Sequence, residues 1–374
     1  MHAGTTDLND LSKVYIDAIT FNNPRWIPCR IAFLPATWKK YGKELERIVM
    51  KYHHLFPDYS LGDYEKLARP PHPRYRIGRF KDAWECIWEN DYEGLAGVVV
   101  ESPLKSWEKF SAYVPPNPSE VDDYGGKVNW EERRKQVERI HENGGIAFGY
   151  FMHGSMFMRL FYLRGFENLM LDMALDDPRL KDLISMVLDY NMKLAELWVN
   201  TGVDIVWFGD DLGTQRSLMI SPDMFRKYIK PCYEKIFGFL KEHGVYVYMH
   251  SDGRIVEIME DLIECGVDVV NPQIGPNKPQ ELAKYKGRVC MDVDLDRQLF
   301  SLGKPLEVEE HIIECISALR HERGGLMIYA ECEPETPLYN IETICATLSE
   351  ICGPTVMQDF VQLQKSCGEV PGHA

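Results

Sequence analysis

Five short apolar runs in the second half of the chain each end in residues able to do acid–base or metal chemistry. They lead into Asp210 and Asp211 (VWFGDDLGTQR), His250 and Asp252 (VYMHSDG), Asn271 and Gln273 (VVNPQ), Asp292, Asp294 and Asp296 (CMDVDLD), and Glu331, Cys332 and Glu333 (IYAECEPETP). His250 and Asp252 stand two apart on an extended segment, so imidazole and carboxylate point to one side and can converge on one ion or one substrate atom. Cys332, at the end of another run, could bring a thiolate to the same point. One nitrogen, one oxygen and one sulfur with an open fourth position suit a catalytic zinc. The plainer alternative makes His250 a hydrogen-bond partner of Asp252 or of nearby backbone, and Cys332 one more buried thiol.

Asp210 and Asp211 directly follow a glycine, and such a pair can orient a substrate, act as a base or reach the ion. Aspartates at such positions also cap helices and turns, and one of the two is expected to do so. Gln215 and Arg216 could hold a polar or carboxylate group of a substrate, the arginine through a bidentate pair, or simply seal the mouth of the site. His153, in YFMHGSMFMRL, follows a further apolar run and joins the same set. With Asn271 and Asp292 it is assigned to substrate binding, whereas Met152, Met156, Phe157 and Met158 around it read as core.

The runs that carry these residues read as strands at 146–151, 204–208, 245–249, 267–270, 288–291 and 325–329, separated by helical patterns at 178–200, 222–243, 254–265, 279–286, 306–323 and 338–351. Pro178 behind Asp177 and Pro222 behind Ser221 fit first-turn prolines after capping residues. Gly244, Gly266 and Gly287 fit helix stops. Six βα units imply a parallel sheet, and two more strands from the N-terminal part would close an α/β (β/α)8 TIM barrel whose C-terminal rim collects every residue named above. A doubly wound open sheet is the alternative, but no G-x-G-x-x-G follows the first strand. Residues 1–145, with proline clusters at 70–73 and 115–118 and many aromatics, are expected as an N-terminal cap or elaboration that contributes early barrel elements. Residues 146–352 are expected to carry the rim, and 353–374 to form a C-terminal tail.

At 374 residues, 45% hydrophobic and 26% charged, the chain has the balance of a globular protein rather than a disordered or fibrous one. No apolar run approaches the ~18 residues of a membrane span, and the start, MHAGTTDLNDLSK, lacks the apolar region of a signal peptide. Forty-two basic against 57 acidic residues leave a net charge of −15, which argues against nucleic acid or an anionic membrane as partner. Ten cysteines without a CxxC pair point to buried free thiols and a cytoplasmic, reducing setting.

The segment from GDDLGTQR through HSDG to VVNPQ, the Asp296-Arg297-Gln298 step, TPLYNI (336–341), FYLRGFENLMLDMALDDP (161–178) and WECIWENDYEGLAGVVVESPLKSWE (84–108) together resemble the uroporphyrinogen decarboxylase superfamily. The likeness runs over about residues 20–352 and implies a TIM barrel. One branch of that superfamily decarboxylates uroporphyrinogen and carries an Arg-Gln-Ala-Gly-Arg motif near its N-terminus. Here the corresponding stretch, CRIAFLPATWKKYG (29–42), lacks it. Another branch comprises zinc methyltransferases that work with a corrinoid on a partner protein and bind zinc through His-x-Cys and a later Cys. This chain has His250-Ser251-Asp252 at the first, and Cys332 two residues beyond the family position of the second, where Ala330 stands.

What the resemblance implies is therefore a zinc site built from His250, Asp252, Cys332 and Glu331, with His250, Asp210 and Asp211 as the catalytic groups. With one thiolate rather than two, such an ion is a stronger Lewis acid, better suited to an ether oxygen than to holding a thiol. The expected function is O-demethylation of a small methoxylated, plausibly aromatic, compound, the methyl group passing to Co(I) of a partner corrinoid protein. A homodimer is compatible with this reading. The alternative is a metal-independent decarboxylase of a small or tetrapyrrole carboxylic acid.

Overall fold

The alternation of short apolar runs with amphipathic stretches is realised in a computed structural model, which describes residues 9–70 and 72–355. Its strands are β1 (Ile27–Phe33), β2 (Gly78–Lys81), β3 (Ile87–Asn90), β4 (Val98–Glu101), β5 (Phe148–Tyr150), β6 (Ile205–Gly209), β7 (Tyr246–Ser251), β8 (Val269–Pro272), β9 (Cys290–Asp294), β10 (Leu326–Cys332) and β11 (Cys352–Pro354). Eight of them form one sheet in the order β11-β1-β10-β9-β8-β7-β6-β5, and each of its pairings is parallel. Parallel neighbours require crossovers. Here these include the helices Arg179–Thr201, Lys230–Glu242, Met259–Glu264 and Pro305–Leu319.

The two faces of this sheet pack into different cores. Phe148, Ile205, Trp207, Tyr248, Val269, Cys290 and Met327 gather in one small cluster with Tyr15, Ala18 and Ile19 of helix Asp10–Ile19. Strands lie about 4.8 Å apart, so six of them could not share so small a cluster on a flat sheet; the sheet curls around it. The opposite face, with Val206, Phe208, Val247, Met249, Val270, Met291 and Ile328, packs under helix residues such as Ile236, Phe237, Ile312 and Ile344 in the larger core. Burial on both faces explains why the strands read as unbroken apolar runs. The architecture is α/β with a curled eight-stranded parallel sheet, consistent with a TIM-type fold.

Several expectations are corrected. The N-terminal part gives this sheet one strand, β1, not two; the eighth is β11, which includes Gly353 and Pro354 where a tail was expected. Among the described residues no ladder joins β5 to β11. Residues 1–8 and the rest of the tail, 356–374, lie outside the described residues. The helix expected over 222–243 is three pieces, Pro222–Met224, a π-helical turn Phe225–Ile229, and Lys230–Glu242. Pro231 has no N–H to donate to the carbonyl four residues back, so the chain takes a wider turn there.

Between β1 and β5 lies a three-stranded antiparallel sheet, β2-β3-β4. It is fastened to the helix Phe157–Arg164 by a buried network. Trp88 Nε1 donates to Asp82 at 2.8 Å, Trp84 Nε1 donates to Asp123 at 2.7 Å, and the Arg159 guanidinium reaches both carboxylates at 3.4 Å. All nine described cysteines are buried and free. No helix among the described residues is long and apolar enough to cross a membrane.

Candidate functional site

At the C-terminal edge of the curled sheet, β5, β6 and β7 deliver His153, Asp211 and His250 to one place. Their ligand atoms all lie within 4.8 Å of one another. His153 Nε2 is 3.1 Å from Asp211 Oδ1, and His250 Nε2 is 3.8 Å from that same oxygen and 3.5 Å from Asp252 Oδ1. Trp207, two residues before Gly209 on β6, lies parallel to the His250 ring at 5.9 Å and beside His153 at 6.2 Å. Gly209 is required by this crowding, since a Cβ there would come within 2.9 Å of the His153 ring and 2.2 Å of Trp207. A second glycine contact aligns the loops. Gly253 has φ +77, a Cβ on it would meet Gly213 at 2.2 Å, and Arg254 N donates to Thr214 O at 2.7 Å. The DDLG and HSDG segments thus touch backbone to backbone, while Asp252 N donates to Asp211 Oδ1 at 2.8 Å.

The orientation of His250 is fixed from β8. Asn271 Nδ2 donates to the Asp292 carbonyl at 2.5 Å, which leaves Asn271 Oδ1 as the acceptor for His250 Nδ1–H at 2.6 Å. With the proton held on Nδ1, Nε2 presents its lone pair to Asp211 and Asp252, the arrangement of a metal-ligating histidine steered by a neighbour. Asp252 Oδ1 is a buried oxygen with no hydrogen-bond partner, and it faces this same nitrogen. A four-coordinate ion with bonds of about 2.0–2.2 Å holds its ligand atoms roughly 3.3–3.5 Å apart, close to the separations seen here. The donor set, two imidazole nitrogens and one or two carboxylate oxygens, therefore fits a zinc-sized divalent ion.

Charge supports this grouping. Burial would raise the Asp211 carboxyl, but His153 and His250 outweigh it and hold the group well below the usual carboxylate range. Burial likewise opposes a proton on His153, and the Asp211 carboxylate overcomes it, raising the imidazole above its ordinary value.

The other expected residues are placed differently. Asp210 turns away from the cluster and accepts from Phe157 N at 2.5 Å, Met158 N at 2.8 Å and Tyr233 OH at 2.9 Å. It caps the first turn of helix Phe157–Arg164; burial nevertheless raises its carboxyl to about 6. Asp292 accepts from Tyr248 OH at 2.7 Å on the inner face of the sheet. Glu331 is held by Arg297 at 2.9 Å and by Tyr329 OH at 2.5 Å, and Arg297 also binds Asp294 at 2.5 Å and lies 3.6 Å from Asp252.

Cys332 does not join the site. Strand alternation puts Met327 in the inner cluster and Ile328, Ala330 and Cys332 in the outer core, so positions 330 and 332 share a face, but it is the face under the helices. Burial pushes the Cys332 thiol well above its ordinary range, with Cys345 as its nearest titratable neighbour in effect. Gln215 and Arg216 stand exposed on a turn bridged from Gly213 to Leu218 and are not brought to the cluster. Sequence reasoning missed Trp207, Arg297 and the bond from Asn271 to His250. The period-two placement of Trp207 before Gly209 was the available signal for the first of these.

The family signatures TP-x-x-N and Asp-Arg-Gln prove to be structural in part. Asn340 Nδ2 donates to Phe300 O at 2.8 Å and Gly303 O at 2.9 Å, and Asp296 caps the helix Arg297–Leu302 by accepting from Gln298 N and Leu299 N. A family model described as Uroporphyrinogen decarboxylase (URO-D) matches residues 89–351, more than half of the chain. The chain belongs to the uroporphyrinogen decarboxylase family. No curated protein sequence matches it. Among solved structures, a methyltransferase from Methanosarcina mazei is similar over 91% of this chain and 98% of its own, with 14% identity and a TM-score of 0.59. A putative vitamin-B12 independent methionine synthase from Listeria monocytogenes aligns over 59% of this chain and 68% of its own at 12% identity and TM-score 0.39. A 7,8-dihydropteroate synthase from Vibrio fischeri aligns over 38% and 55% at 18% identity and TM-score 0.27. At 14% identity, the likeness of this family member to the archaeal methyltransferase is one of fold.

Proposed function

We propose that this protein is a zinc-dependent methyltransferase of the O-demethylase type, taking the methyl group of a small methoxylated aromatic compound and delivering it to Co(I) of a corrinoid on a partner protein. The observation that carries the reading is the convergence of His153 Nε2, Asp211 Oδ1 and His250 Nε2 at the sheet's C-terminal edge, in a member of a family whose fold is shared with a methyltransferase. These three residues would hold the ion, with Asp252 as a fourth donor or as the group that yields its place to substrate. Bound there, zinc supplies Lewis acidity toward the ether oxygen that keeps the electron pair when the O–CH3 bond breaks. Asn271 keeps the His250 lone pair aimed inward, Trp207 and His153 close one wall, and the buried ion pairs of Arg297 hold Asp252 and Glu331 in place. In this reading the protein acts in the cytoplasm, a homodimer is compatible with it, and the described residues ahead of β5 shape the opening through which the corrinoid is admitted.

Against metal-independent decarboxylation by Asp210 with Arg216, Asp210 is engaged by two backbone N–H groups and a tyrosine hydroxyl and Arg216 is exposed. The test is a methyl-transfer assay with a panel of methoxylated aromatics and a reduced corrinoid protein. The expected result is methylcobamide formation that requires zinc and disappears in His250→Ala. Carbon dioxide release from a carboxylic acid by zinc-free protein, without methyl transfer, would overturn the proposal.

A further inference from the structure

A groove of about 500 Å³ opens beside the helix Arg179–Thr201, a volume within the range of small-molecule sites. One wall is the proline segment Pro115, Pro116 and Pro118, and the other is the helix. Asp182, Met186, Asp189 and Lys193 follow one another there at helical intervals and so share one face, with Tyr190 beside them. Both walls are held before any ligand arrives. Trp130 Nε1 donates to Pro118 O at 2.9 Å, Lys193 Nζ donates to Asn117 Oδ1 at 2.7 Å, and the buried Tyr190 ring packs edge-on against Trp84 at 4.6 Å. A groove already shaped loses little freedom on binding.

The charges in this lining are unevenly matched. Lys193 stands one turn after Asp189 but gives its ammonium to Asn117 instead. Asp182 and Asp189 are exposed in the lining, and among the described residues neither forms an ion pair. The two carboxylates are carried two helical turns apart, about 10.5 Å along the axis, with Met186 between them and the proline rings across the groove. Negative charge thus stands at two points with apolar surface between. An anion is repelled at both points, and one metal ion, with bonds of about 2.0–2.6 Å, cannot bridge carriers so far apart.

We propose that this groove binds a linear aliphatic diamine or polyamine, with one ammonium group on Asp182, another on Asp189, and the methylene chain lying against Met186, Tyr190 and the prolines. Each ammonium would donate charge-assisted hydrogen bonds to its carboxylate, while the chain would remove apolar surface of both walls from water. A monoamine satisfies one carboxylate only, and a short diamine cannot reach both. The site stands apart from the His153–Asp211–His250 cluster and depends on neither the metal nor methyl transfer.

The test is calorimetric titration of the full-length protein, at physiological salt, with diaminobutane, diaminohexane and diaminooctane beside octylamine, which has the long chain but one charge. Wild type is expected to bind diaminooctane about fivefold more tightly than octylamine, with affinity rising along the diamine series. In Asp182→Asn and in Asp189→Asn this preference falls to about onefold. Both positions are exposed, so thermal unfolding stays at its wild-type midpoint, and Asp189→Glu, which keeps the charge, keeps the preference. A preference that survives both asparagine variants would overturn the proposal, as would equal binding of all four amines in wild type, the mark of diffuse attraction to a chain of net charge −15. Binding lost in His250→Ala but kept in the asparagine variants would put the amine on the metal cluster instead. Trilysine bound where no diamine binds, and lost in the asparagine variants, would replace the small amine with a segment of a protein partner and likewise overturn it.

Discussion

Asn271 was expected to touch substrate, yet it spends its amide on two protein partners, and that choice decides which nitrogen of His250 is free. Asn271→Leu should therefore weaken zinc binding by about 10–100-fold, measured by competition with a chromophoric chelator; an unchanged affinity would mean that His250 needs no such steering. Asp210 and Asp211 are neighbours in sequence with opposite tasks. Asp210→Ala leaves two N–H groups and the Tyr233 hydroxyl without their acceptor and should cost roughly 2–4 kcal/mol of unfolding free energy, while zinc content stays at its wild-type level. His153, Asp211 and His250 were legible as chemistry-bearing residues because each follows an apolar run. Which of them would share an ion was not, since that depends on how far each loop turns after its strand. Cys332 was misplaced for a related reason. Alternation tells which residues share a face, but only the position of Met327 in the inner cluster tells which face that is.

At the scale of elements, the parallel strands and most crossover helices were readable from period and caps, and helix Leu338–Ile351 has the bounds its pattern implies. The eighth strand was not readable, because three residues, Cys-Gly-Pro, carry no periodicity. The antiparallel β2-β3-β4 sheet was hidden by short strands and interrupting prolines. Its attachment makes a strong prediction: Asp82→Ala strips Arg159 and Trp88 of a buried acceptor and should cost about 3–5 kcal/mol, read by denaturant unfolding, whereas a loss below about 1 kcal/mol would show the network to be dispensable. The same region responds to acid. Burial, followed by the charges of Arg74 and Arg76, lowers His72 from 6.5 to about 3. Below pH 6.5 the unfolded chain takes up a proton that the folded chain refuses, so stability falls as the pH drops from about 6.5 toward about 3. Unfolding measured at pH 7 and pH 5 should show this loss in wild type and a smaller one in His72→Gln; equal slopes would refute it.

At the scale of the molecule, a curled parallel sheet gathers strand ends from distant parts of the chain, and the family membership, the net charge of −15 and the buried free thiols are consistent with one another. At the cluster, Asp211 and Asp252 face the two histidines, and Arg297 pairs with Asp294 and Glu331 beside them. The central claim is that this arrangement is a metal centre made of nitrogen and oxygen donors without a cysteine. Elemental analysis of anaerobically purified wild type, His153→Ala, His250→Ala and Cys332→Ala tests it most directly. The account predicts about one zinc per chain in wild type and in Cys332→Ala, and its loss from both histidine variants. Zinc retained in the histidine variants, or lost from Cys332→Ala alone, would contradict it.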